Sequence, residues 1–162
     1  MHYTIVPIGY VSAPRPHPED DYWGDEQASI KLTPEFSPES LQGLADFSHV
    51  EVLFVFDRVD ESNVVSGARH PRNNQDWPAV GIFSQRGKNR PNRIGSTICR
   101  VGSVEGAMLH VTGLDAIDGT PVIDLKPVMR EFLPRHPVRQ PSWATELMQS
   151  YWLPYTRKTR HR

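Results

Sequence analysis

The sequence predicts a mostly β fold: a small, largely antiparallel β-barrel with short helical additions and one C-terminal helix. Proline and glycine account for 26 of the 162 residues (15 plus 11), which is too many for a helical bundle. The apolar runs are short, alternate with polar turns and are rich in β-branched and aromatic residues, as strands are. One segment near the C-terminus has the spacing of an amphipathic helix. The length fits a single domain.

The first predicted elements lie near the N-terminus. Residues 3–11 are predicted to form a strand, and Pro7 within it indicates an edge or a bulge because proline donates no ladder hydrogen bond. Residues 28–32 alternate between apolar and polar side chains and predict a short second strand. Ser37, followed by a proline and an acid, predicts a capped helix of one or two turns that ends near Gly43.

The strongest strand signal covers residues 49–57, which are apolar on both faces, so we expect a central strand there. Residues 63–78 form a long polar loop, and loops of this length in compact domains are usually functional or mobile. Further strands are expected at residues 79–84 and 94–105, and the polar loop of residues 85–93 lies between them.

The remaining elements complete the barrel and add one helix. Two more strands are expected at residues 107–112 and 121–125. Residues 142–153 place apolar side chains at helical spacing, and Ser142 is expected to cap that helix. We expect residues 1–140 to form the barrel domain, and residues 141–162 to form a C-terminal helix and basic tail without being a separate domain.

Composition and missing motifs exclude several classes of protein. The single cysteine, Cys99, excludes an internal disulfide framework, a four-cysteine zinc site and an iron–sulfur cluster, and it is expected to be a small core residue of a strand. The seven histidines lack metal-ligand spacing, so no metal is expected. No Rossmann glycine motif, P-loop or nucleophile elbow occurs. Without a signal-like N-terminus or a long apolar run, we expect a cytoplasmic protein with no membrane contact.

The net charge of −1 hides an uneven distribution. Five acids crowd residues 19–26, whereas seven cations face a single acid between residues 69 and 100. The last six residues add four cations: Arg157, Lys158, Arg160 and Arg162. A local basic field attracts an anionic partner even when the whole molecule is nearly neutral, although a solvated rim of arginines has the same composition.

Three stretches have the residue types of a functional site. Phe47-Ser48-His49 opens the predicted central strand, where a serine and a histidine can also simply satisfy backbone groups. Residues 83–95 hold four cations and two asparagines; arginine grips carboxylates and phosphates, and a solubilising hairpin loop is the alternative. Residues 114–127 hold three aspartates around Asp118-Gly119, which either form an ordinary turn or bind ribose hydroxyls, an amino group or a proton.

These stretches, together with Ile8-Gly9, resemble the TsaA-like family of S-adenosylmethionine-binding β-barrel proteins. The family pattern is a strand with I-G, then F-S-H, then R-x-x-x-R-P-N-x-I-G, then D-x-x-D-G-T-P-V-x-D-x-K-P. This chain has the four motifs in order, at Ile8-Gly9, at Phe47-Ser48-His49, from Arg86 to Gly95 and from Asp115 to Pro127. The characterised bacterial members are tRNA methyltransferases that act on N6-threonylcarbamoyladenosine beside the anticodon.

The resemblance implies that S-adenosylmethionine is the methyl donor, and that the protein is a homodimer with cofactor pockets near the subunit interface. It implies that the arginine loop and the aspartate–glycine turn border the cofactor, through Arg86, Ile117, Asp118, Gly119 and Thr120. Further candidates for the cofactor site are Asp57, Arg58, His49, Arg90 and Asn92. An arginine suits the carboxylate of the donor, and an aspartate suits its ribose hydroxyls.

The chain departs from the family pattern in several places. Residues 20–25 replace the proline-arginine-glutamine element of many members, in a loop that can line the donor or acceptor pocket. Gly87-Lys88-Asn89 replaces the small residues that usually follow F-A-T-R in the family, and Arg93 stands where proline is frequent. The well-studied members carry an extra C-terminal domain that helps to hold tRNA, whereas one helix and a basic tail are expected here.

The leading hypothesis is an S-adenosylmethionine-dependent N-methyltransferase that methylates N6 of N6-threonylcarbamoyladenosine next to the tRNA anticodon. That nitrogen is weakly nucleophilic, so a base that removes its proton helps, and Asp118 and His49 are the candidates. Backbone phosphates are expected to meet Arg69, Arg72, Arg90 and Arg93. Two alternatives keep the cofactor: a methyltransferase of a small amine or another RNA, and a regulatory protein that binds the cofactor without turnover.

Overall fold

The computed structural model describes residues 1–156. Its strands and α-helix are β1 (Gly9–Ser12), β2 (Gln27–Leu32), β3 (His49–Val55), β4 (Ala68–Arg69), β5 (Val80–Gly81), β6 (Ile94–Glu105), β7 (Met108–Thr112), β8 (Pro121–Pro127) and α1 (Ser142–Leu147). Short 3-10 turns lie at Pro38–Leu41, Leu44–Asp46, Glu61–Asn63, Pro71–Asn73, Ile82–Ser84, Pro91–Arg93 and Arg130–Phe132. Six strands close into an antiparallel barrel in the order β1, β2, β7, β6, β3, β8, while β4 and β5 pair separately. The predicted fold class is confirmed.

Alternating side chains fill the interior of the barrel. Along β3, Val50, Val52 and Phe54 are buried, and the side chains between them are half-buried on the outer wall. β3 pairs with β6 along its whole length and with β8 at its other edge, as expected of a strand with two apolar faces. It ends at Val55, two residues before the predicted end. Cys99 is 1% exposed, which confirms that it is a core residue.

The pairings place the long loops that carry most of the motifs at one end of the barrel. β1 ends where β8 begins, β7 ends where β2 begins, and β3 ends where β6 begins. We call this the loop end; it carries residues 13–26, 56–93 and 113–120. The opposite end, which we call the far end, is where His49 opens β3. Six steps of about 3.3 Å along β3 separate the two ends by about 20 Å.

Two predicted strands are shorter than expected. The strand predicted over residues 3–11 is limited to β1, because Pro7 offers no N–H and the ladder begins at Ile8, whose N–H donates to β8 at 2.8 Å. The strand predicted over residues 79–84 consists of β5 alone. The chain then bends into a 3-10 turn at Ile82, whose N–H donates to the loop before β4 at 2.8 Å.

Both predicted helices are also shorter than expected. The helix expected at Ser37 is a single 3-10 turn without a side-chain cap, and Gly43, with a φ of +86°, separates it from the next turn. The helix expected over residues 142–153 ends at Leu147, because the carbonyls beyond it accept hydrogen bonds from the loop of residues 13–26. Pro141, and not Ser142, occupies the N-cap position of α1, so the predicted cap is wrong.

The other four strand predictions are confirmed, since β2, β6, β7 and β8 lie within two residues of their expected bounds. The long polar loop of residues 63–78 contains β4. The basic tail lies outside the described residues, and the division between residues 1–140 and 141–162 stays a prediction. Among residues 1–156, no helix combines the length and the apolar character needed to cross a membrane.

Candidate functional site

The aspartate–glycine turn lies at the loop end, directly before β8. The carbonyl of Ile117 accepts hydrogen bonds from the N–H of Thr120 at 3.2 Å and from its buried hydroxyl at 2.7 Å. Gly119 has a φ of +82°, a conformation that favours glycine at the third position of a turn. Its N–H donates to Val11 of β1 at 2.7 Å. The predicted tight turn is confirmed, and its backbone is fixed against the barrel.

One carboxylate oxygen of Asp118 is hydrogen-bonded within the protein, and the other is available to a ligand. Its Oδ1 accepts a hydrogen bond from the backbone N–H of Ala13 at 3.0 Å. The backbone N–H of Asp118 donates to the backbone carbonyl of Arg15 at 2.8 Å. Arg58 donates to the carbonyls of Asp118 at 3.3 Å and of Pro16 at 2.5 Å. Within residues 1–156, the exposed Oδ2 of Asp118 has no hydrogen-bond partner. The structure thus brings the predicted residues Arg58 and Asp118 together and leaves an oxygen that can bind a hydroxyl, an amine or a proton.

Arg86 lies on the outer wall at the loop end and is exposed. Its Nη2 donates to the carbonyl of Ser96 on β6, and the hydroxyl of Ser96 donates to Glu51 Oε1 on β3 at 2.8 Å. Nε and Nη1 of Arg86 have no partner in the described part of the chain. Since one bond holds this exposed side chain while Nε and Nη1 have no partner, Arg86 is arranged to bind an anionic group.

A partly buried carboxylate, Asp115, joins the barrel to the C-terminal segment. It accepts hydrogen bonds from the hydroxyl of Thr97 on β6 and from the hydroxyl of Tyr151. Burial raises the pKa of the Tyr151 hydroxyl, and the Asp115 carboxylate raises it further, while Arg72 and Arg86 oppose the shift. Sequence reasoning missed this network, because its partners are distant in the chain.

Arg15 is a buried cation that the sequence analysis also missed. Its Nε donates to Glu26 Oε2 at 3.0 Å, and both side chains are 7% exposed. The guanidinium lies 3.9 Å from the ring centroid of Trp23 and 4.5 Å from that of Tyr155. It also donates to the carbonyls of Asp21 and Tyr22. Residues 20–25 therefore wrap a buried arginine. The available signal was a lone cation among prolines followed by five acids.

The four arginines predicted to meet phosphates are half-buried, and each is hydrogen-bonded within the protein. The contacts are Arg69 to Asn73 at 3.1 Å, Arg72 to Asp21 at 3.0 Å, Arg90 to the Gln85 carbonyl at 2.6 Å, and Arg93 to the Val59 carbonyl at 2.7 Å. A guanidinium has five N–H donors, so these bonds leave others for an outside acceptor, and the phosphate role stays a prediction. Lys88 and Arg100 are exposed cations that the prediction did not include.

His49 does not lie with the other predicted residues. It opens β3 at the far end, where its Nδ1 is 2.7 Å from the Ser48 hydroxyl. Within one copy of the chain, about a strand length separates it from Asp118. Asn92 and Asp57 do lie at the loop end, and both are exposed. Asn92 has a φ of +61° in the turn before β6, a conformation that asparagine tolerates better than most residues.

An open apolar cleft of about 430 Å³ lies at the far end of the barrel. Its walls come from the ends of β2 and β8 and from the turns before β3: they include Ile8, Leu32, Phe36, Leu41, Leu44, Phe47 and Leu125. None of the predicted site residues lines this cleft. The chemistry-bearing side chains at the loop end, and not this cleft, therefore define the candidate site.

Comparison with known proteins agrees with the motifs. The family described as tRNA-methyltransferase O N-terminal domain matches residues 13–132. A human protein named tRNA (adenine(37)-N6)-methyltransferase is 38% identical over 121 residues, which are 74% of this chain and 27% of that protein. A probable S-adenosyl-L-methionine-binding protein of Methanothermobacter thermautotrophicus is 37% identical over 136 residues, which are 78% of this chain and 90% of that protein.

Solved structures give the same result. A crystal structure of TrmO superposes with a TM-score of 0.70 at 28% identity, over 86% of this chain and 64% of that one. A TrmO structure from Pseudomonas aeruginosa gives 0.68 at 29% identity, over 86% and 62%. The chain thus spans about a quarter of the human relative's length and less than two thirds of these structures. The resemblance seen in the motifs is confirmed, and the chain belongs to the tRNA-methyltransferase O N-terminal-domain family.

Proposed function

We propose that this protein uses S-adenosylmethionine to methylate N6 of an adenosine in tRNA. The observation that carries the proposal is the grouping of available polar atoms at the loop end. Within the described part of the chain, Oδ2 of Asp118 and both Nε and Nη1 of Arg86 have no hydrogen-bond partner, and Arg58 donates to the backbone carbonyl of Asp118. The names of the relatives support it, since they state adenine-N6 methylation of tRNA and S-adenosylmethionine binding.

The residues at the loop end fit the methyl donor by their chemistry. Arg86 suits the donor's carboxylate, because guanidinium–carboxylate pairs are charge-assisted and bidentate. The fixed turn at Ile117, Asp118, Gly119 and Thr120 suits the nucleoside part, since a rigid backbone loses little entropy on binding. Asp57, Arg58 and Asn92 are exposed at the same end and complete the proposed cofactor-binding set. The bound donor supplies a methyl group on a sulfonium sulfur; its carbon–sulfur bond breaks as the carbon–nitrogen bond forms, and the acceptor nitrogen loses one proton.

We assign the proton-accepting role to Oδ2 of Asp118. Oδ1 is held by the N–H of Ala13, and Arg58 grips the backbone carbonyl of Asp118, so the carboxylate is fixed in one orientation. A fixed base next to a fixed donor site lowers the barrier by positioning the reacting groups. His49 receives no catalytic role in this proposal because it lies at the far end.

The finer proposal for the acceptor is N6-threonylcarbamoyladenosine beside the anticodon, as the family resemblance implies. The nitrogen in that group is urea-like and weakly nucleophilic, so it needs the base that Asp118 provides. The remaining donors of Arg69, Arg72, Arg90 and Arg93 are proposed to meet the RNA backbone. Binding that depends on phosphates weakens steeply as salt rises.

A homodimer is the assembly that we propose. Residues 129–142 are exposed along their whole length and include Phe132, 84% exposed, and Val138, 73% exposed. A monomer rarely leaves large apolar side chains this exposed on one segment, whereas a second copy can cover them. Sedimentation analysis of the wild type and of a Phe132→Asp, Val138→Asp variant tests this, and dissociation to monomers is the expected result.

The activity is tested with purified protein, labelled S-adenosylmethionine and two tRNA preparations, one with and one without the threonylcarbamoyl group. We expect one methyl group per tRNA in the first preparation, located on N6 by mass spectrometry of the nucleosides. Equal transfer to both preparations would contradict the finer acceptor only. Transfer to a small amine or to another RNA, or tight cofactor binding with no transfer at all, would replace the proposed function by one of those alternatives.

A further inference from the structure

Phe83 exposes its aromatic ring to solvent from a turn that is fixed by hydrogen bonds. It lies in the turn Ile82–Ser84 and is 77% exposed, while the adjacent Ile82 is 2% exposed in the core. The turn is fixed at both ends: the N–H of Ile82 donates to Gly67 at 2.8 Å, and the N–H of Gln85 donates back to Ile82 at 3.2 Å. The ring therefore projects from an ordered turn and not from a frayed loop.

The surroundings of Phe83 are cationic. Gln85 ties the turn to two arginines, because its side chain donates to the carbonyl of Arg69 at 3.0 Å and its carbonyl accepts from Arg90 at 2.6 Å. Arg86 follows directly in the chain. Between Asp76 and Glu105 the sequence contains no acid at all. An exposed aromatic ring thus lies within a local field of positive charge.

Burying an aromatic side chain such as Phe83 stabilises a fold or a complex, but within one copy of the chain the ring stays exposed. A positive field attracts a polyanion, and an aromatic face stacks on an unpaired base regardless of its sequence. An enzyme that modifies a base must also hold the nucleotide out of its stack. Charge and shape together therefore favour single-stranded RNA over an apolar protein surface as the partner of this ring.

We propose that Phe83 is the surface on which an unpaired base of the RNA substrate stacks, next to the site that holds the methyl donor. This inference rests on the proposed function and adds a substrate-positioning residue to it. The ring takes part in no bond making; it fixes the position of the RNA loop so that the acceptor nucleotide reaches Asp118.

The test compares Phe83→Ala and Phe83→Leu with Phe83→Tyr and Phe83→Trp. The first pair removes the aromatic face, and Leu keeps the apolar bulk; the second pair keeps a face. Base stacking is worth about 1–3 kcal/mol, so we expect Ala and Leu to weaken tRNA binding about 5- to 150-fold and to raise KM for tRNA equally. Tyr and Trp should restore wild-type values. Affinity for S-adenosylmethionine and the oligomeric state should stay unchanged.

A second readout reports stacking directly. An anticodon stem-loop RNA with 2-aminopurine at an unpaired position should lose fluorescence on binding to the wild type and to the Trp variant, and should stay bright with the Ala variant at saturating protein. Full RNA affinity in Phe83→Ala, or full rescue by Leu, overturns the inference. So does a change of oligomeric state at unchanged RNA affinity, which would place the ring in a protein interface.

The two proposals can fail separately. If the wild type binds the stem-loop but transfers no methyl group, the proposed function fails, and the binding series still decides whether Phe83 stacks. If methyl transfer occurs and the Phe83 variants match the wild type, only the stacking inference fails. If the wild type binds no RNA under any salt condition, both are overturned.

Discussion

The hydroxyl of Tyr151 donates a hydrogen bond to the carboxylate of Asp115, which also accepts a hydrogen bond from Thr97 on β6. The helix α1 has six residues, too few to be stable on its own. This carboxylate and the backbone bonds from Tyr22 and Trp23 to the residues after α1 therefore anchor the C-terminal segment to the barrel.

Replacing Tyr151 by Phe should destabilise the protein without a change of fold. The substitution removes one donor from a partly buried carboxylate, which costs about 1.5–3 kcal/mol for a charged acceptor. Urea unfolding of Tyr151→Phe measures this loss. Tyr10→Phe, on the exposed side of β1, is the matched control and should change stability by less than about 0.5 kcal/mol. Equal effects of the two substitutions would show that the Asp115 bond contributes nothing.

The stabilisation by Tyr151 should depend on pH in one direction. Burial, followed by the Asp115 charge, raises the pKa of Tyr151 above its ordinary value of 10.0. A raised pKa means that the folded state favours the protonated phenol, so the contribution is complete below pH 10 and is lost as pH rises above it. The stability difference between wild type and Tyr151→Phe should be constant from pH 7 to 9 and shrink above pH 10. A difference that grows with pH would contradict this account.

Cys99 should resist thiol reagents in the folded protein. Burial raises the pKa of its thiol far above the ordinary value of 9.0, and the Asp115 charge adds to the shift, so almost no reactive thiolate forms at neutral pH. We expect no labelling by a maleimide in buffer and one label per chain in guanidinium chloride. Rapid labelling of the native protein would mean that β6 opens easily.

Replacing Arg15 by Ala should be strongly destabilising, by about 3–5 kcal/mol, because it leaves the buried Glu26 carboxylate without its partner. The double variant Arg15→Ala, Glu26→Gln should recover part of the loss. Arg58→Ala, at an exposed arginine, should cost much less. Thermal unfolding of the three variants gives the comparison, and equal losses for Arg15→Ala and Arg58→Ala would rule out a special role of burial.

Arg86→Ala should weaken S-adenosylmethionine binding about 10- to 150-fold, since a charge-assisted pair contributes about 1.5–3 kcal/mol. Lys88→Ala, an exposed cation of the same loop, is the control and should leave affinity unchanged. Calorimetric titration measures both. If the two variants bind alike, the cofactor carboxylate is held elsewhere.

Asp118→Asn should distinguish the contribution of this residue to stability from its proposed role as the proton acceptor. Asparagine keeps Oδ1 as an acceptor for the Ala13 N–H, so stability should match the wild type. It cannot accept a proton, so kcat should fall at least about 100-fold. A loss of cofactor affinity with unchanged kcat would instead mean that the carboxylate binds a hydroxyl of the donor.

Strand positions followed well from the sequence, because alternation and β-branched residues report burial directly. β6 was predicted to the residue, and β8 to within two residues at its end. Elements near proline and glycine were less predictable: Pro7 shortens the first strand, and the residues after Leu147 leave the helix for contacts with a distant loop. Local propensity cannot report such tertiary contacts.

The site could be predicted only where a motif is local. The turn at Asp118 and the exposure of Arg86 follow from short sequence patterns, whereas the pairs Arg15–Glu26 and Asp115–Tyr151 join residues that only the closed barrel brings together. His49 was grouped with the site because its motif accompanies the others in sequence. The sequence places His49 at the start of a strand, but motif order does not tell at which end of the barrel that strand starts.

The barrel is closed by its first and last strands, since Gly9 of β1 pairs with Val122 of β8. β3 likewise finds both of its partners, β6 and β8, later in the chain. During synthesis the apolar β3 therefore emerges from the ribosome long before either neighbour exists. Non-local pairing of this kind slows folding, and it leaves the apolar surface of the nascent chain exposed and prone to aggregation. We expect a translation product that stops before residue 121 to need chaperone protection and to form no partial barrel.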